Sequence, residues 1–156
     1  MNTPAVSAGP TVHLVALRAG QRFSLPVSTV REVLIMPELE PVPLAPPELL
    51  GSFQLRGEIV PVMLPDSLLA VGVTEKAPAV LALLSNGDAT VGLAFDRVLG
   101  VVTIDPAALI PHPQAARRPW MVHLHIDARY QLVTVLEGPA LITALIEHLQ
   151  FTFSST

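Results

Sequence analysis

The sequence predicts a mainly β protein of two similar small lobes, each closed like a small barrel, with one C-terminal α-helix. Short apolar runs alternate with turn signals, of which Asn86-Gly87 is the strongest hairpin signal. Residues 23–33 align with residues 91–101 at an offset of 68, and the order strand–turn–strand–bend–loop–strand occurs twice. The segment 138–150 carries one aliphatic stripe at helical spacing behind an initial Gly-Pro.

The N-terminal half is predicted to hold strands and a proline-rich loop. Thr29 and Glu32 have the spacing of a capping box, which indicates a brief helical turn, whereas the β-branched residues around them favour a strand. The expected elements are a flexible tail over 1–11, strands over 12–17 and 22–27 around a turn at 18–21, a segment of mixed signals over 28–36, an extended loop over 37–51 and a buried strand over 58–64.

The C-terminal half is predicted to hold two more hairpins and the helix. The expected elements are strands over 79–84, 89–96 and 98–104, a loop over 111–119, strands over 121–127 and 130–137, and a helix over 139–150. Together they give a single domain over 12–150, with lobes at approximately 12–70 and 71–137. Whether the two lobes exchange strands is left open at this point.

Composition excludes several classes of function. The chain has 156 residues, of which 51% are apolar and 14% charged, as in a folded protein. Its net charge is −4 and its nine basic residues are scattered, which argues against nucleic acid as a partner. No apolar run reaches the length of a membrane span, so we expect no direct membrane insertion. The sequence has neither Cys nor a secretory signal pattern, which permits the cytoplasm.

We expect neither an enzyme nor a bound cofactor. The sequence contains no nucleophile elbow, P-loop, dinucleotide fingerprint or His-Glu-x-x-His motif. Its acidic residues lie in separate segments, and no spacing pairs two of them as acid and base. A hydrolase with an unrecognised site is the least favoured alternative.

The alternative function that we keep open is a small-molecule or metal-binding β module. His123 and His125 alternate along a predicted strand and therefore share one face, and two imidazoles at this spacing can begin a metal site. A third ligand is not evident from spacing. A solvated strand face is the more common explanation, and we favour it.

The corner Arg56-Gly57 precedes the buried strand that begins near Ile59. One interpretation is structural: Gly57 supplies a positive φ in a hairpin turn and Arg56 is solvated. The other is functional: a guanidinium held on a stiff corner can bind carbonyls or carboxylates of a docking segment in fixed geometry. The residues alone favour the structural interpretation. Asn86 and Gly87 form the other predicted structural turn.

The segment LLGSFQLRGEIVPVMLP resembles the signature of the CheW-like domains, which are adaptor modules of bacterial chemosensory arrays. The resemblance also includes FSLPVSTVREV, the proline-rich loop, VGLAFDRVLGV and the closing LVTVLEGPALI, and it extends from about residue 12 to 146. It implies two small five-stranded SH3-like β-barrel subdomains packed together, with a C-terminal helix.

The resemblance also implies partners and site residues. It implies a non-enzymatic cytoplasmic scaffold that binds the regulatory domain of a CheA-like histidine kinase and the hairpin tip of a chemoreceptor, at membrane-associated or soluble receptor arrays. Carried over by position, Val30, Gly51 and Arg56 line the receptor groove, and Glu32 lies near the kinase-facing side.

Three positions depart from the family pattern. Gln54 stands where the family usually has Asn, Leu64 where it usually has Asp, and Glu137 where it usually has Asp. Asp66 follows two residues after Leu64. Such divergence is typical of a specialised coupling protein, for example in a pathway like that of type IV pili.

Overall fold

The computed structural model describes residues 9–72, 74–87 and 89–154, which form eleven β-strands and one α-helix. The elements are β1 (Thr11–Arg18), β2 (Gln21–Pro26), β3 (Val30–Ile35), β4 (Leu49–Leu55), β5 (Glu58–Met63), β6 (Val80–Ser85), β7 (Thr90–Phe95), β8 (Arg97–Ile104), β9 (Ile110–Pro111), β10 (Met121–Ile126), β11 (Leu132–Leu136) and α1 (Gly138–Ser154). The predicted mainly β class with a C-terminal helix is therefore confirmed. Most of the predicted tail, residues 1–8, lies outside the described residues.

The strands form two sheets, which we call lobe A and lobe B. Lobe A has six strands in the order β8-β1-β2-β11-β10-β9, and lobe B has five in the order β3-β6-β7-β5-β4. Lobe A thus combines the first two strands of the chain with the last four. The predicted sequential lobes, 12–70 and 71–137, do not match the sheets, because β3 leaves lobe A after β2 and β8 returns to it after β7. The lobes exchange strands.

The internal repeat predicted at an offset of 68 is confirmed by the pairing. In each lobe an antiparallel hairpin, β1-β2 or β6-β7, is extended on one side by the strand that crosses over, β8 or β3. On the other side the second strand of the hairpin pairs in parallel with β11 or β5. Both lobes therefore repeat one plan, and each receives its edge strand from the other half of the chain.

The main core lies between the lobes. It combines side chains of lobe A, such as Phe23, with side chains of lobe B, such as Phe95, and the two rings are 6.4 Å apart. A second cluster of buried apolar side chains, Phe53 among them, lies within lobe B. Burial of aliphatic side chains by both lobes stabilises their association as one unit.

Helix α1 covers the core with its predicted apolar stripe. Leu141, Ile142 and Leu145 are buried in the core between the lobes. A Cβ at Gly138 would collide with Thr29, so the helix begins in close contact with the crossover from β2 to β3. No helix among the described residues combines the length and apolar character that crossing a membrane requires.

The capping box predicted at Thr29 and Glu32 is wrong. The hydroxyl of Thr29 donates to the carbonyl of Pro26 at 2.8 Å and ends a single 3-10 turn. Residue 32 lies in β3, where β-branched and aliphatic neighbours form a strand, as the competing signal indicated. The predicted turn at Asn86-Gly87 is present: the Asn86 side chain accepts a hydrogen bond from the backbone N–H of Ala89.

Candidate functional site

The corner Arg56-Gly57 is a two-residue hairpin turn between β4 and β5. Leu55 pairs with Glu58, and φ is +49° at Arg56 and +83° at Gly57. Positive φ at both central residues is the type I′ geometry, which favours Asn or Gly at the first position. Left-handed backbone costs an ordinary residue about 1 kcal/mol. Gly57 therefore meets the backbone requirement, and Arg56 takes the left-handed conformation as Ala19 does before Gly20 in the turn between β1 and β2.

Arg56 forms a two-pronged ion pair with Glu32. Each terminal nitrogen of its guanidinium lies 3.3 Å from one carboxylate oxygen of Glu32, and the side chain of Arg56 remains 63% exposed. A second pair lies beside it, in which Arg31 donates to Glu58 at 3.0 Å and to the hydroxyl of Thr90 at 3.2 Å. The hydrogen bond from Arg31, followed by that from Thr90, lowers the pKa of Glu58.

These two pairs connect opposite ends of lobe B. Arg31 and Glu32 belong to β3, which is the first strand of the sheet order, while Arg56 and Glu58 belong to the hairpin of β4 and β5 at the other end. We call these four residues the latch, because they join the edges of the curled sheet. Exposed ion pairs contribute only about 0–1 kcal/mol each, so the latch can open at small cost.

Gly51 and Val30 take no part in this ion pair. Gly51 is buried with φ of +151°, and a Cβ there would lie 2.6 Å from the carbonyl oxygen of Glu40. At that point the proline-rich loop crosses β4, where Glu40 and Ser52 exchange two backbone hydrogen bonds. Val30 is half-buried and packs against the core between the lobes. The structure thus brings together Arg56 and Glu32, and gives Gly51 a steric role beneath the loop.

A buried arginine cluster, which the sequence analysis missed, lies where the lobes meet. Arg18 ends β1 and its side chain is only 3% exposed. It donates to both oxygens of Asp66 at 2.9 and 3.0 Å, to Asp96 at 2.9 Å and to the carbonyl of Lys76 at 2.9 Å. The hydrogen bond to Asp66 is the largest of the effects that raise the pKa of Arg18. The cluster ties lobe A to the crossover after β7 and to the connection between β5 and β6.

His123 and His125 lie on β10 and are both half-buried. Within residues 9–72, 74–87 and 89–154, no three His, Asp or Glu side chains are placed to hold a metal ion together. The metal-binding alternative is therefore not favoured. His125 lies close enough to the buried His13 to lower its pKa, although burial is the larger cause.

Lobe A contains an open cleft of about 550 Å³. One wall is β8 from Leu99 to Thr103, and the opposite wall is the turn between β10 and β11. Val15 and Val133 contribute an apolar floor, and Arg97 and Arg129 lie at the rim. No local sequence signal had indicated this cleft, since its walls come together only through the pairing of β8 with β1.

Comparisons with known proteins identify relatives of this chain. The family model described as the CheW-like domain matches residues 13–145. The chemotaxis protein CheW of Rhizobium meliloti is 30% identical over 108 residues, which cover 67% of this chain and 68% of that protein. Protein FrzA of Myxococcus xanthus is 31% identical over 111 residues, which cover 70% of this chain and 69% of that protein.

A solved structure shares the fold. The scaffolding protein TtCheW from Thermoanaerobacter tengcongensis aligns with a TM-score of 0.72 at 19% sequence identity, covering 88% of this chain and 90% of that one. The likeness confirms the predicted pair of SH3-like lobes with a C-terminal helix.

Proposed function

The chain belongs to the CheW-like domain family, and we propose that it is a non-enzymatic scaffold that couples chemoreceptors to a CheA-type histidine kinase. The names of two relatives, one a chemotaxis protein and one a scaffolding protein, support this role. In this role the chain works in the cytoplasm, at membrane-associated or soluble receptor arrays, and it controls kinase output by placement alone.

The observation that most supports this function is the exposed guanidinium of Arg56 at the first position of its turn, where it is paired with Glu32. A type I′ turn favours Asn or Gly there, yet the chain holds an arginine whose guanidinium is largely exposed and is bound only by Glu32 among the described residues. A guanidinium so presented can exchange the carboxylate of Glu32 for a carboxylate or carbonyl of a receptor at small cost. We propose that Arg56 makes this contact in the receptor groove.

Val30, Gly51 and Glu32 have separate roles in the proposal. Val30 contributes to the groove from its place beside the core between the lobes. Gly51 acts through the backbone, because it lets the proline-rich loop approach β4 next to the groove. Glu32 contributes to the kinase-facing side, and its ion pair with Arg56 links the two surfaces, since a receptor that binds Arg56 releases Glu32.

Co-sedimentation with a receptor cytoplasmic fragment and with the kinase regulatory domain tests this function. We expect the wild-type chain to bind both, and Arg56→Glu to keep its fold while its receptor affinity falls by about 1–3 kcal/mol, the usual contribution of a charge-assisted contact. Arg117→Glu is the matched control, because Arg117 is an exposed arginine between β9 and β10 of lobe A, whereas the latch belongs to lobe B. Failure of the wild-type chain to bind either partner at tens of micromolar would refute the proposal.

A charge exchange separates direct contact from support of the fold. The double variant Glu32→Arg with Arg56→Glu restores the ion pair with reversed polarity. If Arg56 binds the receptor directly, the double variant remains defective in receptor binding. If it recovers wild-type binding, Arg56 acts only by holding the latch closed. Circular dichroism checks the fold, and unfolding of Arg56→Glu would support the structural interpretation of this residue instead.

A further inference from the structure

The cleft of lobe A occupies the place where lobe B has its latch. Both crossover strands contain one extra residue in their pairing, Arg31 in β3 and Leu99 in β8, at positions related by the offset of 68. The following residues, Glu32 and Gly100, are therefore equivalent as well. At these two positions lobe B has Arg31 and Glu32. Lobe A has the aliphatic Leu99 and then Gly100, which has no side chain.

The hairpins that face these strands occupy the same place in the two lobes, although the loop between β4 and β5 has two residues and that between β10 and β11 has five. In lobe B the tip between β4 and β5 carries Arg56 and is followed by Glu58, and both belong to the latch. In lobe A the tip between β10 and β11 carries Arg129 and is followed by Gln131, which has no charge. In these places lobe A thus has an arginine in the position of Arg56, but it has neither a counterpart of Arg31 nor either carboxylate of the latch.

The arginines at the cleft are available to a ligand. Arg97 and Arg129 are exposed, and neither side chain has a hydrogen-bond or ion-pair partner in the part of the chain that the structure describes. Asp127, the acidic residue of the cleft, accepts backbone hydrogen bonds from Gln131 and Arg129, which together lower its pKa. Asp127 therefore stays ionised, but Arg22, Arg97 and Arg129 line the same cleft, so an excess of positive charge remains that favours an added carboxylate.

The wall formed by β8 is an unpaired strand edge. Among the described residues β8 pairs only with β1, so its other edge carries backbone groups without strand partners. Five consecutive residues of β8, 99–103, line the cleft. Because successive side chains of a strand point to opposite faces, the cleft borders the backbone edge of β8 and not one of its faces. Leu99, Val101 and Val102 are each more than a third exposed there. Such an edge is suited to pairing with an added strand.

We propose that the lobe A cleft binds an extended acidic segment of a partner protein, which adds to the edge of β8 and places a carboxylate over Gly100 against Arg129 and Arg97. Aliphatic side chains next to the carboxylate pack on the floor at Val15 and Val133. Residues 1–10 of this chain contain no Asp or Glu and cannot supply that charge themselves. The site goes beyond receptor–kinase coupling and does not depend on it.

Nuclear magnetic resonance of the full chain labelled with nitrogen-15 tests this site with a synthetic probe, the blocked peptide acetyl-SVEVTVS-amide. We expect millimolar peptide to shift the amide signals of β8 and of the turn between β10 and β11. A peptide with Gln in place of its Glu should bind about tenfold more weakly, because a charge-assisted contact is lost. Arg129→Gln should weaken the original peptide by a similar factor, and Arg117→Gln, at an exposed arginine outside the cleft, should not.

Four outcomes would overturn the proposal. The first is the absence of shifts at these positions with saturating peptide. The second is equal binding by the Glu and Gln peptides, or by wild-type chain and Arg129→Gln. The third is that hexanoate alone produces the same set of amide shifts as the peptide, which would make the cleft a small-molecule site. The fourth is that the β8 signals change with protein concentration before peptide is added, which would make a second copy of the chain the occupant.

Discussion

Asp96 is the carboxylate whose neutralisation should destabilise the fold most. Its side chain is 3% exposed, and each oxygen accepts a hydrogen bond of 2.9 Å, one from the Arg18 guanidinium and one from the backbone N–H of Ala19. In Asp96→Asn one oxygen becomes an NH₂ group, so a donor faces a donor in either orientation of the amide. The same change removes the negative charge opposite a buried guanidinium.

The expected loss follows from these contacts. A hydrogen bond to a charged group contributes about 1.5–3 kcal/mol, and removing one partner of a buried ion pair costs about 3–5 kcal/mol. Because Arg18 keeps Asp66, we expect about 3 kcal/mol of destabilisation from Asp96→Asn. Asp66 is 30% exposed, so water replaces part of the ion pairing with Arg18 that Asp66→Asn removes. We therefore expect Asp66→Asn to lower the free energy of unfolding by about 1 kcal/mol.

Urea unfolding followed by tryptophan fluorescence and by circular dichroism measures both losses. The single tryptophan, Trp120, donates to the carbonyl of Leu68, close in sequence to Asp66, and so reports on this region. For a chain of this length, 3 kcal/mol lowers Tm by about 6–12 °C. Glu38→Gln, at an exposed carboxylate, is the control and should change stability by less than about 0.5 kcal/mol. An Asp96→Asn variant as stable as the control, or more stable than Asp66→Asn, would show that the buried contacts of Asp96 do not contribute this stability.

Two further predictions concern backbone approach and pH. Gly51→Ala should destabilise the chain by about 3 kcal/mol, because it combines an unfavourable φ with a collision against the carbonyl of Glu40; urea unfolding close to that of the wild type would contradict this. Burial, and then His125, lower the pKa of His13 below 6.5, so below that pH the unfolded chain binds a proton that the folded chain does not. The free energy of unfolding should therefore decrease as the pH falls through about 6.5, and His13→Leu should reduce that decrease; an unchanged pH dependence would exclude His13 as a cause.

Local sequence signals predicted the strands and turns, because each depends on residues close along the chain. The apolar run near residue 80 and the Asn86-Gly87 turn predict a hairpin without reference to the rest of the fold. The competing signals at Thr29 and Glu32 were decided by the β-branched and aliphatic residues around Glu32, which pair as β3 with β6. Propensity alone could not have shown that Glu32 binds Arg56.

The division into lobes needed information that local patterns do not contain. The internal repeat correctly indicated two copies of one plan, but a repeat does not show which copy receives each crossover strand. Arg18 and Asp96 are 78 residues apart, and in sequence each resembles an ordinary polar residue at the end of a strand. The cleft of lobe A depends on the same exchange, because β8 reaches lobe A only by leaving β7 in lobe B.

The most direct test of coupling is ternary co-sedimentation of a receptor cytoplasmic fragment, a CheA-type kinase and this chain. If the chain couples receptor to kinase, the kinase pellets with the receptor fragment in proportion to added chain, and Arg56→Glu reduces this recovery while Arg117→Glu does not. Kinase recovery that is independent of the chain, or equal for the two variants, would contradict this coupling.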